Sequence, residues 1–269
     1  MAFGSSYPQR IVCLTEETTE ALYLMGEQRR IVGISGFTVR PPQARKEKPK
    51  VSAFTSAKID KILALQPDLV LGFSDLQADI GAELTRAGIE VHLFNQRSVT
   101  EILRMIRVLA GMIGETGKGD HLVSNLQKNI ELISIKSKEL NSKPKVFFEE
   151  WDEPLISAIR WVSELIGIAG GEDIFPELAE QPLGRNRILT DPDEVIRRQP
   201  DVIIGSWCGK KFRPEKVAAR PGWQALPAVR NQELHEIKSA LILQPGPAAL
   251  SDGLNALATI VQRWAQRHR

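Results

Sequence analysis

The chain states one motif twice, and that duplication restricts what it can fold into more than any other feature. Ile59–Gly72 reads IDKILALQPDLVLG, and Pro192–Gly205 reads PDEVIRRQPDVIIG. Each runs a short amphipathic segment into Gln-Pro-Asp and then into an aliphatic stretch closed by Gly. A second pair supports the first: RIVCLTEETTEALYLMG (Arg10–Gly26) and KVFFEEWDEPLISAIRWVSELIG (Lys145–Gly167). Both have a strand-like run, an acidic turn and a helical segment ending in Gly. The two pairs are offset by nearly the same distance. The expectation is two similar α/β lobes facing each other, with a ligand cleft between them.

Short apolar strands alternating with helical segments are the pattern of parallel βαβ units. Strands are expected near Ile11–Leu14, Ile31–Ile34, Leu69–Gly72 and Val91–Phe94, then near Val146–Phe148, Val202–Gly205 and Leu234–Ile237. Helices are expected over about 18–25, 59–65 and 76–87, with Gly26 and Gly88 as stops. Ser98-Val99-Thr100-Glu101 has the form of a capping box and opens a helix to about Ile113. No Gly or Pro occurs from His121 to Lys143, and Leu122, Leu126, Ile130, Ile133 and Ile135 recur at broadly helical spacing. The expected division is an N-terminal α/β lobe over 1–97, connecting helices with one long backbone helix over 98–143, and a C-terminal α/β lobe over 144–269. The last helix is expected from Pro247 to about Trp264.

Composition removes several classes of function. A formal net charge of +2 over 269 residues, with scattered basic residues, gives no nucleic-acid footprint. No apolar run approaches the ~20 residues that span a bilayer. The start, MAFGSSYPQR, has neither a basic nor an apolar leader region, so the chain as written reads as cytoplasmic, or as periplasmic if a leader has been removed. Two cysteines, Cys13 and Cys208, make no disulfide framework and read as free thiols. His92, His121, His235 and His268 are dispersed and match no metal spacing, so no intrinsic metal or cofactor is expected. GSWCGKK (Gly205–Lys211) falls one residue short of a phosphate loop and lacks the Ser/Thr after Lys. Nothing offers an oligomer seam, and a monomer is expected.

In parallel α/β sheets ligands collect at the carboxyl ends of the strands. The loops leaving those ends nominate Glu16, Glu17, Phe37, Arg40, Phe73, Asp75, Asn95 and Arg97 in the first lobe. In the second they nominate Glu150, Trp151, Trp161, Trp207, Lys210 and Gln244. Aromatic faces interleaved with both charge signs suit a flat, partly polar ligand held by stacking and charge-assisted hydrogen bonds. Lys210 and Lys211 are placed to meet an anionic group. Glu16 and Glu150 occupy matching repeat positions, and two readings stand: ligand contacts facing each other, or carboxylates at helix N-termini. Trp223 and Trp264 read as packing residues.

The paired helix-QPD-strand units, the helical connector, the opening RIVCLTEETTEALYLMG and above all VSAFTSAKIDKILALQPDLVLG (Val51–Gly72) carry a resemblance. The chain resembles the helical-backbone, or class III, solute-binding proteins of iron-siderophore, heme and cobalamin ABC-type uptake systems. It is similar to a signal-less, cobalamin-binding-like branch, with Thr15-Glu16-Glu17 in place of that family's Pro-Ser segment. The resemblance implies non-catalytic capture of a corrinoid, heme or ferric siderophore, for uptake or cytosolic carriage. Any metal would then arrive inside the ligand. It also implies that Asp60 and Glu194, matched across the repeat, dock onto a membrane permease; a solvated helix face explains them equally. The alternatives are an enzyme, chelatase- or hydrolase-like, working through the Glu149–Glu153 carboxylates, or a cytosolic ligand sensor.

Overall fold

A computed structural model describes residues 6–268; the leader reading therefore concerns in part Met1–Ser5, which lie outside the described residues. The chain divides into two compact units. One holds the chain up to Gln96 together with Thr100–Asn125, and the other holds Arg97–Val99 together with the chain from Leu126.

The first unit is built on β1 (Ile11–Cys13), β2 (Ile31–Ser35), β3 (Lys50–Ser52), β4 (Leu69–Phe73) and β5 (Val91–Phe94). They form one sheet in the order β3-β2-β1-β4-β5, with every pairing parallel. The four strands expected in this unit are all present. β3 was not foreseen, because in Lys50-Val51-Ser52 only Val51 is buried and three residues give no period to read. β1 is buried along its whole length, as a central strand covered on both faces must be. Val12, Leu14, Val51, Ile62, Val70, Ile80 and Leu84 pack as one cluster beneath it. The strand order reverses between β1 and β4, so a switch point lies at their carboxyl ends.

The second unit contains β6 (Lys145–Asp152), β7 (Leu155–Ser157), β8 (Glu172–Asp173), β9 (Val202–Gly205) and β10 (Leu234–Glu236). The order is β10-β9-β6-β7, parallel except for the antiparallel β6–β7 hairpin, and β8 pairs in parallel with the start of β6. The acidic run Glu149–Asp152, expected as a loop, is the second half of β6. Its residues pair with β7, a partner only three residues long that the sequence did not reveal. In the core the Phe147 ring stands edge-on to Phe175 at 5.7 Å and to Trp223 at 6.0 Å, the arrangement that aromatic quadrupoles favour.

The repeated motif has the same structural cause in each unit. Gln66 and Gln199 adopt left-handed backbone (φ 47° and 50°) and end the helices Ile59–Ala64 and Asp193–Arg198; Pro then prevents continuation. The Asp68 carboxylate accepts the backbone N–H groups of Gln9 and Arg10 at 2.7 and 2.8 Å, fastening β4 beside β1. The Asp201 carboxylate accepts that of Lys145 at 2.9 Å, fastening β9 beside β6. The closing glycines are steric requirements. A Cβ on Gly72 would lie 2.7 Å from Leu93 Cδ2, and one on Gly205 would lie 2.0 Å from the Phe212 ring.

Helix Val99–Met112 begins where the capping-box sequence places it. The long helix is Thr116–Lys138, 23 residues or about 34 Å, and it carries the chain from the first unit into the second. It begins earlier than expected because Gly117 and Gly119 are helical. Gly119 allows close approach to Ala110, whose Cβ would be 2.3 Å from a Cβ there. The last helix starts at Pro247, passes through a π segment at Ala249–Gly253 and continues over Leu254–Arg267. The Leu250 carbonyl within the π segment accepts from Asn129 Nδ2 at 3.0 Å. Side-chain capture of this kind satisfies a carbonyl displaced from the ordinary helical ladder.

Candidate functional site

Most of the nominated residues lie at the carboxyl ends of their own unit's strands; Arg97, Trp161 and Gln244 do not. In the first unit β1 runs directly into helix Glu16–Leu24, whose opening turns bury three carboxylates, Glu16, Glu17 and Glu20. Glu16 accepts the backbone N–H of Arg40 at 2.8 Å, and Glu20 takes Arg40 Nε at 2.8 Å. Arg40, delivered by the loop after β2, is thus the clamp of this rim. Glu17 is 1% exposed and accepts from the Thr15 hydroxyl at 2.6 Å. Burial pushes both Glu16 and Glu17 up to about 7. The backbone N–H groups of Arg40 and Val39 at Glu16, and the Thr15 hydroxyl with a backbone hydrogen bond at Glu17, only partly offset the removal of these carboxylates from water. Cys13, at the end of β1, is buried, and its thiol is pushed up to about 12 by that burial, which leaves it unreactive. Cys208 is exposed and free.

The rest of this rim is ordered by a residue the sequence did not single out. Gln77 is fully buried; its Oε1 accepts from Phe73 N at 2.9 Å and its Nε2 donates to Phe54 O at 2.8 Å. It therefore fixes the end of β4 against the segment after β3. Only a polar residue four positions past a strand end hinted at this. Phe73 is buried, Asp75 and Asn95 are exposed, and Phe37 is 58% exposed. Arg97 is half-buried and opens the short stretch assigned to the second unit.

In the second unit the two acids of β6 point to different partners. Glu149 has no exposure, and its carboxylate receives Arg220 twice, at 2.6 and 2.8 Å, and the Trp207 indole N–H at 2.9 Å. Burial raises its pKa, and Arg220 opposes the rise. Glu150 is half-buried and pairs with Arg187, itself 1% exposed, at 2.6 and 3.2 Å. Glu150 thus lies within a strand rather than at a helix N-terminus, and of the two matched acids only Glu16 opens a helix. Lys210 sits on Asp152 at 2.5 Å, with its ammonium 5.5 Å above the Trp151 ring and 5.1 Å above Trp207. The structure thus brings Trp151, Trp207 and Lys210 together. Trp161 is buried in helix Arg160–Ile168 and donates to Ile242 O at 2.9 Å. Gln244 is half-buried in the loop before the last helix. Arg187 and Arg220 were not anticipated, since each meets its acid from 37 and 71 residues away.

Asp60 is exposed on helix Ile59–Ala64. Glu194, on helix Asp193–Arg198, pairs with Arg197 at 2.7 Å and Arg198 at 3.3 Å, and the Arg197 hydrogen bond holds its carboxyl below the usual range. Trp223 and Trp264 are both buried. Among the described residues no group of three or more His, Cys, Asp or Glu is placed to hold a metal ion, and no helix is long and apolar enough to cross a membrane.

A protein-family profile described as periplasmic binding protein matches residues 11–241. The chain belongs to that family. It is 27% identical over 248 residues to a vitamin B12-binding protein of Vibrio parahaemolyticus, covering 90% of this chain and 86% of that one. It is 25% identical to an ABC transporter substrate-binding lipoprotein of Bacillus subtilis, covering 93% and 79%. Among solved structures, a possible iron-binding periplasmic solute-binding protein of Staphylococcus epidermidis superposes with a TM-score of 0.82 at 20% identity, covering 95% of this chain and 99% of that one. The family consists of solute-binding proteins, and the two α/β units described above are its fold.

Proposed function

We propose that this protein is a non-catalytic carrier that captures a flat, partly polar small molecule of the corrinoid, heme or ferric-siderophore class and hands it to an ABC-type permease. The observation that carries the reading lies in the second unit's rim. Trp151 is half-buried and Trp207, 4% exposed, belongs to the core beneath the rim, held by the buried Glu149–Arg220 pair, with the Lys210 ammonium over both rings. A fixed aromatic surface edged with charge suits reversible stacking of a conjugated ring. The other residues proposed for ligand contact are Glu16, Phe37, Arg40, Phe73, Asp75 and Asn95 at the first unit's own rim and, in the second unit, Arg97, Glu150, Gln244 and the buried Trp161, which acts through packing; Glu17 acts through Thr15. The names of the relatives, a vitamin B12-binding protein and a possible iron-binding protein, support this ligand class.

Asp60 and Glu194 are the residues proposed to meet the permease, and the likeness to an ABC transporter substrate-binding lipoprotein supports that partner. The same relatives favour work outside the cytoplasmic membrane, which cell fractionation of the native gene product would test. The test of function is titration with cyanocobalamin, hemin and a ferric siderophore, followed by absorbance. One of these binds at one per chain and is recovered chemically unchanged. Failure of all three, or conversion of the bound compound, overturns the reading.

A further inference from the structure

A sheet edge is a template for another strand, and this fold leaves one of its edges unprotected. β3 is covered by its own chain: the Val51 carbonyl accepts the Lys58 N–H at 2.8 Å, and Ser52 bridges Ala57. β7 is covered likewise, Ser157 donating its N–H to Arg187 O at 3.2 Å and Leu155 O accepting from Leu189 N at 2.9 Å. β10 is three residues long and carries His235 and Glu236, polar side chains of the kind that blunt an edge. β5, Val91-His92-Leu93-Phe94, has neither a covering segment nor a charged side chain. Val70 N donates to Glu90 O at 2.9 Å and Ser74 N to Phe94 O at 2.7 Å, so the alternate residues 90, 92 and 94 turn their backbone groups to β4. The N–H and C=O groups of Val91 and Leu93 therefore face the open side, where no described residue meets them.

Beside that edge lies a cavity of about 270 Å³, between the end of β5 and helix Val99–Met112. Phe94 and Met105 lie at its base, Val108 is 37% exposed along its wall, and Arg104 stands exposed one helical turn from Val108. His92 lies edge-on to Phe94 at 4.3 Å, and burial lowers its pKa, which keeps the ring uncharged at neutral pH. Glu101, the acid of the lining, is already engaged, whereas the Arg104 guanidinium meets no partner among the described residues. The uncommitted charge here is positive. An open backbone edge with a side-chain pocket next to it is what strand addition uses: main-chain hydrogen bonds hold the guest, and the pocket reads alternate side chains. We propose that β5 is a docking edge for an extended segment of another protein. The guest adds a sixth strand to the first unit's sheet, places a bulky apolar side chain in the cavity, and sets an acidic one, two residues away on the same face, against Arg104. This inference is independent of the small-molecule reading above.

The experiment titrates the full chain, ¹⁵N-labelled at its backbone amides, with the peptide acetyl-Thr-Phe-Thr-Asp-Thr-amide. The Val91 and Leu93 amide signals shift and their hydrogen exchange slows. N-methylating alternate amides of the peptide weakens binding about tenfold or more with the set that faces β5 and little with the other set. Val108→Asp, which puts a charge in the cavity wall, weakens binding about tenfold. Arg104→Glu reverses the preference, so that the peptide with Lys in place of Asp binds about threefold better than the original. Both positions are exposed, so neither substitution threatens the fold. Peptide that leaves the Val91 and Leu93 signals unmoved, equal loss with both methylated sets, or binding indifferent to Val108→Asp and Arg104→Glu would each overturn the proposal. So would a chain that dimerises alone in sedimentation while the same two amides shift with its concentration, since a second copy then covers the edge. Shifts confined to Arg104 and its helix would mark a small-molecule pocket and overturn it too.

Discussion

Replacing Glu17 with Gln should make the protein more stable at pH 8 and leave it almost unchanged at pH 4.5. Glu17 is 1% exposed, and among the described residues the Thr15 hydroxyl at 2.6 Å is the side chain that compensates it. Burial raises its carboxyl from 4.5 to about 7, which at about 1.4 kcal/mol per tenfold step means that ionisation costs the fold roughly 3 kcal/mol. The folded chain keeps this proton through a range in which the unfolded chain releases it. Stability is therefore fully present below about pH 4.5, falls as pH rises, and is lost above about 7. Gln has nothing to ionise, and its amide oxygen can still accept from Thr15. Urea unfolding at pH 4.5, 6, 7 and 8 would measure the difference. The gap between variant and parent should open from near zero to roughly 3 kcal/mol. Glu16, also raised to about 7, stays in the variant, so some pH dependence remains. A gap that is constant across the series would refute the assignment of that cost to Glu17 ionisation.

Other substitutions probe the scaffold. Arg220→Met should cost about 3 kcal/mol at neutral pH by stranding the unexposed Glu149 carboxylate. Adding Glu149→Gln should restore most of it in equilibrium unfolding, and no recovery in the double variant would show that Arg220 matters for another reason. Gly205→Ala should destabilise by about 1–3 kcal/mol, and by more than Gly72→Ala. Its Cβ would strike the Phe212 ring at 2.0 Å, whereas at Gly72 the nearest atoms, at 2.7 Å, are side-chain ends; equal melting temperatures would contradict this. Asp68→Ala should cost about 1–2 kcal/mol in urea unfolding by releasing two backbone N–H groups at the start of β1. An unchanged midpoint would mean that the repeated Asp is not a staple.

What could be read from the sequence were the features whose physics is local. β1, β2, β4, β5, β9 and the first half of β6 announce themselves as apolar runs, and the repeated Gln-Pro-Asp locates a helix end and a strand start in both units. β3, β7 and β8 did not show, because two or three residues paired at a sheet edge have no period. The run Glu149–Asp152 looked like a turn because its charge is acceptable in a strand only with partners far away, Arg220, Arg187 and Lys210. The same holds for the site. Trp207 and Lys210 follow a recognisable strand end and could be nominated, whereas Gln77, Arg187 and Arg220 lie in unremarkable polar segments and gain meaning only from contacts the fold creates.

The most direct test of the central claim is native mass spectrometry of protein purified gently from its own host, with a visible absorption spectrum of the same sample. The account predicts one corrinoid, heme or ferric chelate per chain, released with its mass unchanged. Protein that carries none of these and ignores them on titration, or that converts the compound it binds, would contradict it.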